Sequence, residues 1–447
     1  MPLYFSLAEL ETILKDNLLQ IADSDPGLSI FGVTTDTRSI KPQELFIALI
    51  GENFDGHSFI EQAVDKGAIA VIVNRQIESV AVPQFMVKDT LKAYQQIARW
   101  WRDRFDIPVV GVTGSVGKTS TKELISAVLS TQGKVLKTEG NFNNEIGVPK
   151  TLLQITSEHS YAVIEMAMRG LGEIALLTDI ARPTIGVITN VGTAHIGRLG
   201  SREAIAQAKC ELLAQMPKTS TAILNYDNSL LIETAQKVWQ GKTITYGLTG
   251  GDVHGTIDED KITVAEQDLP LPLPGEHNAS NYLAAVAIAQ VLNIDFAPLI
   301  AGLQVRLPQG RSRRYDLPND VVILDETYNA GLESMLAALQ MLKETPATRH
   351  IAVLGTMKEL GEHSPQLHRQ VGAKAQELNL DLLMVLADET AAQEMIQGAA
   401  GIQTACFSDR ATLLSQLKQV ICPGDRILCK ASNSVGLNKV VEELIKI

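Results

Sequence analysis

Val109-Val110-Gly111-Val112-Thr113-Gly114-Ser115-Val116-Gly117-Lys118-Thr119-Ser120 decides how the rest of this chain is read. An apolar β-branched run predicts a buried strand, a glycine-bearing turn follows it, and Thr121 to Ser130 predicts a helix. That order is the context in which a phosphate-binding loop works. Unpaired N–H groups of a glycine turn and a helix N-terminus converge on phosphate oxygens at the positive end of the helix dipole. Lys118 adds a point charge for the β- and γ-phosphates, and the Thr119 hydroxyl suits a Mg²⁺ ion. Val112 stands where the strict G-x-x-x-x-G-K-[ST] pattern has its first glycine. Nucleotide binding is the starting expectation.

Outward from the loop, strand and helix patterns alternate. Thr90 to Phe105 predicts a polar helix ended by Pro108, which makes a first boundary. Beyond the loop come Tyr161-Ala162-Val163-Ile164-Glu165, Thr184 to Thr189 and Thr221-Ala222-Ile223-Leu224. This alternation predicts a mostly parallel sheet with ligands at the C-terminal strand ends. After the basic cluster Arg311, Arg313 and Arg314 a second set begins: Val321 to Asp325, His350 to Gly355, Leu382 to Leu386 and Arg426 to Lys430. It predicts a Rossmann-like unit. Ahead of residue 88 the pattern is mixed, with short strands at Leu45–Leu49 and Ala68–Val73.

Bulk properties bound the function. At 447 residues the chain exceeds one core, and about 150 residues per domain gives roughly three. Hydrophobic content of 45% with 20% charged residues is that of a soluble globular protein. A net charge of -12 argues against nucleic acid as a main partner, since a phosphate backbone demands a basic face. Cys210, Cys406, Cys422 and Cys429 form no metal-ligand spacing and are expected to be buried free thiols in a reducing cytosol. The start of the sequence lacks signal-peptide character, and Tyr282–Leu303 is broken by Asn293, Asp295 and Pro298. A helix, a turn and a second helix are expected there, and a cytoplasmic protein.

Several further residues could do chemistry. Glu165 closes a strand, where a carboxylate can hold Mg²⁺ beside a triphosphate or serve as a surface loop charge. His195 follows another strand and reads alone as a hydrogen-bonding loop residue. Lys209 lies near the end of a predicted helix, Ala204 to Glu211, and is a solvated charge there unless it is desolvated. A desolvated lysine becomes neutral and nucleophilic, and such an amine can condense with CO₂ to a carbamate. Asn278 and Asn281 share a helical face that could meet an adenine edge; Asn278 could equally cap the helix. Thr35-Asp36-Thr37-Arg38 precedes a glycine-bearing loop suited to a phosphorylated ligand, or to a turn-rich scaffold.

Together these pieces resemble the Mur ligase family. Thr113 to Thr119 is similar to that family's nucleotide loop, which also lacks the first glycine. Gly140 to Pro149, Glu165, Asn190 to His195, Ala208 to Glu211 and Gly275 to Asn281 recur in the family's order. Asp55 to Phe59, Asp325 to Ala330, Val353 to Gly361 and His368 point to the members that join D-alanyl-D-alanine to a UDP-N-acetylmuramoyl-tripeptide.

The resemblance implies an α/β chain of three domains: a mixed α/β UDP-sugar domain over 1–88, a central P-loop ATPase-type domain with a mostly parallel sheet over 89–308, its linker helix first, and a C-terminal Rossmann-like domain over 309–447. It implies an ATP-dependent ligase working through an acyl phosphate, as a cytoplasmic monomer in peptidoglycan precursor synthesis. Thr113, Gly114, Ser115, Val116, Gly117, Lys118, Thr119 and Ser120 would hold ATP, with Asn278 and Asn281 at the adenine and Arg311 and Asp325 reaching the nucleotide. Lys118, Glu165, His195 and Lys209 would be catalytic. Thr119 and Glu165 would serve one Mg²⁺, and His195 with a carbamylated Lys209 a second metal position. Thr35, Asp36, Thr37 and Arg38 would face the UDP-sugar, and Tyr328 and Asn329 the acceptor. Departures from the usual pattern are Ala167, Glu326, Thr327, Gly331, Leu332, and Ala431 and Asn433 in place of a glycine and an arginine. Asn-Lys-x-Asp, the guanine signature of a GTPase switch, is absent, as is the Asp-Asn-Pro-Arg string of the ligases that add the third residue.

Overall fold

In the computed structural model, which describes residues 3–22 and 27–446, each alternating segment lies in one of three α/β units. The loop strand Val109–Thr113 is buried at every position and runs between Ile185–Ile188 and His159–Glu165, parallel to both. Thr221–Asn225, Lys242–Gly247 and Lys134–Lys137 continue the parallel part. Strands inside such a sheet read as unbroken apolar runs because helices cover both faces. Val253–Asp258 joins in parallel, and Lys261–Val264 and Gln267–Pro270 then extend the sheet to nine strands with antiparallel pairing. The expectation of a mostly parallel sheet does not include that extension, whose short strands alternate buried and exposed positions.

The loop helix Lys118–Ser130 packs on the helix Glu276–Val291 against one face of the sheet, within a cluster that includes Val112, Leu124, Val128, Tyr282 and Leu283. Glu276–Val291 is apolar around most of its circumference, as a wholly buried helix must be. It ends at Val291, and a short helix follows at Ala297–Ile300. Among the described residues no helix is long and apolar enough to cross a membrane.

The N-terminal unit carries a five-stranded sheet in the order Leu18–Ala22, Gln84–Val87, Ala70–Val73, Leu45–Ile47, Val33–Thr34, antiparallel only at the first pair. The helix Thr90–Arg102 ties this unit to the next. Asp89 caps it by accepting from the Lys92 N–H, and Trp101 Nε1 donates to Ile155 O at 3.0 Å. Its expected polar character holds on one face only, since Tyr94, Ile97, Ala98 and Trp101 are buried. The C-terminal sheet runs Arg313–Leu317, Val321–Glu326, Asp425–Lys430, Arg349–Gly355, Leu382–Leu386, Gln403–Phe407, antiparallel only at its first pair. Arg313 and Arg314 therefore belong to an edge strand. The thiols divide: Cys210 and Cys429 are buried as expected, but Cys406 and Cys422 are exposed, because they lie on an outer strand and a turn.

Candidate functional site

The glycine loop keeps its shape through the next strand's end. Asn190 accepts the Ser115 N–H on its carbonyl (3.1 Å) and the Val116 N–H on Oδ1 (3.0 Å). Thr189 Oγ1 donates to Val116 O at 2.6 Å, and Gly192 N donates to Ser115 Oγ at 2.9 Å. Gly117 has φ +81°, and a Cβ there would lie 2.7 Å from Asn281 Oδ1. Only a residue without a Cβ takes that conformation and that approach together. Lys118 Nζ donates back to Gly114 O at 2.8 Å; burial lowers its pKa, opposed by Glu165 and assisted by Arg311.

Beneath the loop, Glu165 is fully engaged. Oε2 accepts from Thr119 Oγ1 at 3.0 Å and Oε1 from Asn143 Nδ2 at 2.9 Å, while the Glu165 N–H donates to Thr138 Oγ1 at 2.9 Å. Lys122 Nζ donates to Thr138 O at 2.7 Å and lies 3.1 Å from Glu123 and 3.8 Å from Glu165. The paired hydroxyl and carboxylate suit a hard divalent cation, which prefers oxygen ligands. Among the described residues no three His, Cys, Asp or Glu side chains converge on a metal-sized site. A cation at Thr119 and Glu165 would thus complete its shell with phosphate oxygens and water.

Lys209 is buried at mid-helix, not near an end, because its helix spans Arg202–Gln215. Burial drives its pKa well below the usual lysine value, and the Lys118 charge adds to that. His195 sits at φ +67° at the head of the turn Ile196–Leu199. Its Nδ1 lies 2.5 Å from Glu359 Oε2. Burial lowers the His195 pKa and Glu359 partly offsets it.

Glu359 comes from the C-terminal unit, whose strand ends close over the loop. Gly197 N donates to Glu359 O at 3.1 Å, and Glu333 accepts from Thr193 N (2.7 Å) and Oγ1 (3.2 Å). A cavity of about 770 Å³ lies between, lined by the Ser115–Ser120 loop, His195 and Asn281 on one wall and by Asn329, Lys358 and Lys430 on the other. Arg311 enters from the boundary with its guanidinium 3.9 Å above the Tyr328 ring.

Other expected site residues stand elsewhere. Asp325 does not reach the cavity: it is buried, and its carboxylate accepts from Thr327 N and Oγ1 (3.1 and 2.6 Å). Successive strand residues face opposite ways, so the neighbour Glu326 takes the cavity side, accepting from Ser312 N and Oγ. Asn278 is not the helix cap, which is Gly275; it is buried with Nδ2 on Pro274 O at 2.8 Å, and its Oδ1 meets Asn281 Nδ2 at 3.5 Å. Thr113, Gly114, Glu165 and Lys209 lie behind the lining, and Thr35 to Arg38 form a separate loop of the N-terminal unit. There Thr37 Oγ1 donates to Gln62 Oε1 at 2.8 Å, and the Arg38 guanidinium holds the Asp36 pKa down to about 2. Glu333 carries no signal in sequence beyond being acidic, while Glu359 lies in the 353–361 stretch that resembles the family without being marked there as a site residue.

Residues 29–102 match the Mur ligase family catalytic domain, 112–289 the Mur ligase middle domain, and 310–433 the Mur ligase glutamate ligase domain. A relative from Synechocystis, a UDP-N-acetylmuramoyl-tripeptide–D-alanyl-D-alanine ligase, is 59% identical over 98% of this chain and 97% of its own. The chain belongs to the Mur ligase family. This Mur ligase is also 37% identical to the enzyme of the same name from Escherichia coli, over 98% of both chains. Among solved structures it is similar to MurF from Acinetobacter baumannii, with a TM-score of 0.92, 31% identity and complete coverage of both chains. MurF from Thermotoga maritima, solved with ADP, gives a TM-score of 0.82 at 29% identity over 93% of this chain and 97% of that one.

Proposed function

We propose that this Mur ligase joins D-alanyl-D-alanine to UDP-N-acetylmuramoyl-tripeptide at the expense of ATP, giving the pentapeptide, ADP and phosphate. The observation that carries the reading is the cavity that faces the phosphate loop toward the C-terminal strand ends. A phosphorylated donor and an amine acceptor can meet there. The full-length identity to ligases of that name supports the choice of substrates.

The chemistry follows from what each residue offers. A carboxylate is a poor acylating agent, so the tripeptide carboxylate attacks the γ-phosphorus, ADP leaves, and an acyl phosphate forms. The acceptor amine then adds to the acyl carbon, sheds a proton, and expels phosphate as the amide forms. Lys118 and the loop amides hold the transferring phosphoryl charge. Lys118 turns from its own loop carbonyls to do so. Arg311 reaches the nucleotide from the boundary, with Asn281 and Asn278 on the adenine side. Thr119 and Glu165 would hold Mg²⁺, which would supply charge screening between the carboxylate and the triphosphate. His195 and a carbamylated Lys209 would serve a second cation position. Desolvation lowers the Lys209 pKa well below the usual lysine value, which favours the free amine that takes up CO₂ as a carbamate. Thr35 to Arg38 take the UDP-sugar, and Tyr328 and Asn329 shape the acceptor side. Asp325 stiffens the Thr327 turn and leaves the cavity face to Glu326.

The division is 1–88 for the UDP-sugar, 89–308 for ATP and 309–447 for closure and acceptor, in a cytoplasmic monomer. Glu333 and Glu359 clasp the 193–197 segment and exclude water from the acyl phosphate.

The test is phosphate release from ATP with the UDP-tripeptide, with and without D-Ala-D-Ala, together with product mass. Release that needs both substrates, and a product heavier by one D-Ala-D-Ala, is expected. Release driven by a different amino acid would keep the ATP chemistry and overturn the acceptor.

A further inference from the structure

Resting on that reading, we infer that Lys358 is the residue that selects an acceptor bearing a free C-terminal carboxylate. The acceptor carries two charges in solution. Its ammonium must lose a proton to attack and ends as an amide, whereas its carboxylate stays ionised throughout. A cavity that binds such a molecule needs a cation not already committed elsewhere.

Four cations line the cavity: Lys118, Arg311, Lys358 and Lys430. Lys118 is tied to the phosphate loop, and Arg311, stacked on Tyr328, is the cation that reaches the nucleotide. Lys430 is buried, donates to Asn329 O at 2.9 Å, and lies 3.9 Å from Glu326. Lys358 alone keeps a half-exposed side chain (55%), whose one charged contact is Asp388 at 4.0 Å, itself 54% exposed. A pair so open and so long is worth little and is readily exchanged for a ligand. The neighbouring Glu359 does not neutralise Lys358, being engaged with His195 at 2.5 Å and Arg198 at 3.6 Å.

The backbone fixes where this lysine stands. Its own N–H donates to Ser432 Oγ at 3.0 Å, and the next carbonyl, Glu359 O, accepts from Gly197 of the central unit at 3.1 Å. Lys358 is thus pinned where Arg349–Gly355 and Asp425–Lys430 end, the crevice where open α/β sheets gather ligands. An extended dipeptide reaches about 7 Å, which holds its carboxylate apart from its amine, and the cavity's two walls offer Lys358 and the phosphate loop as separate partners.

The experiment compares D-Ala-D-Ala with its C-terminal amide in the full-length parent, Lys358→Ala and Lys358→Arg. A charged hydrogen bond of this kind corresponds to about a ten- to hundredfold effect. The parent should prefer the carboxylate form by that factor in kcat/KM. Lys358→Ala should raise KM for D-Ala-D-Ala to the level of the amide while KM for ATP and for the UDP-tripeptide holds, and Lys358→Arg should restore most of the preference. Because the side chain is half-exposed, neither variant endangers folding. The inference is overturned if the parent takes the amide equally well, if Lys358→Ala keeps the preference, or if only KM for the UDP-tripeptide moves. Failure of the parent to ligate D-Ala-D-Ala at all would take down the functional reading as well, and is recognised separately by the product mass.

Discussion

Replacing Lys122 by Met should unseat the base of the phosphate loop without touching its surface. Lys122 is 1% exposed, and its Nζ serves three oxygens: Thr138 O at 2.7 Å, Glu123 Oε1 at 3.1 Å and Glu165 Oε2 at 3.8 Å. Methionine fills most of the volume, so the loss is electrostatic. Removing one partner of a buried pair costs about 3–5 kcal/mol, because the remaining charge stays desolvated. Glu123 keeps Lys137, and Glu165 keeps the Thr119 and Asn143 donors, which places this site near the lower end, about 3 kcal/mol. For a cooperative unit of the central domain's size, each kcal/mol moves Tm by about 2–4 °C, so a fall of about 6–12 °C is expected. Calorimetry reads it in the transition that ADP raises, since a ligand stabilises the unit that binds it. Glu165→Gln in the same background should recover part of the loss, the pair being coupled. A Tm within about 2 °C of the parent, or strict additivity with Glu165→Gln, would refute the buried ion network as a stabilising element.

Three more predictions follow from the same geometry. His368 is fully buried; its Nε2 accepts from Met357 N at 3.0 Å and its Nδ1 faces Ser364 O at 2.7 Å, an arrangement only the neutral ring satisfies. Burial lowers its folded pKa, so its contribution is full above the unfolded value near 6.5 and is lost as pH falls from there through the folded pKa; denaturant titrations should show His368→Gln flattening that slope. Gly117→Ala forces a side chain into φ +81° and toward Asn281, and should weaken ADP binding at least about tenfold by titration calorimetry while the fold persists. Lys209→Ala should abolish turnover and regain part of it with a short carboxylic acid in the buffer; full activity without the acid would remove the carbamate.

The phosphate loop was legible in the sequence because everything it needs is local: two glycines for the turn, a lysine, a hydroxyl, a strand before and a helix after. The alternating apolar runs determined the α/β class and the four central strands of the C-terminal sheet for the same reason, since burial on both faces writes itself into consecutive residues, whereas the edge strands Arg313–Leu317 and Gln403–Phe407 lack such runs. Charge and side-chain direction at a distance did not. Asp325 and Glu326 are adjacent acids at a strand end, and only the register of that strand in the sheet turns Glu326 to the cavity and Asp325 to Thr327. Lys209 is one more helical lysine until the fold buries it, and that desolvation, with the Lys118 charge, drives its pKa well below the usual lysine value. Glu333 and Glu359 do not stand out as site residues in the sequence, yet the meeting of the C-terminal unit with the central one brings them onto Thr193, His195 and Gly197. Local pattern thus determined the loop and the sheets, while burial and the meeting of distant segments decided which charged groups could act.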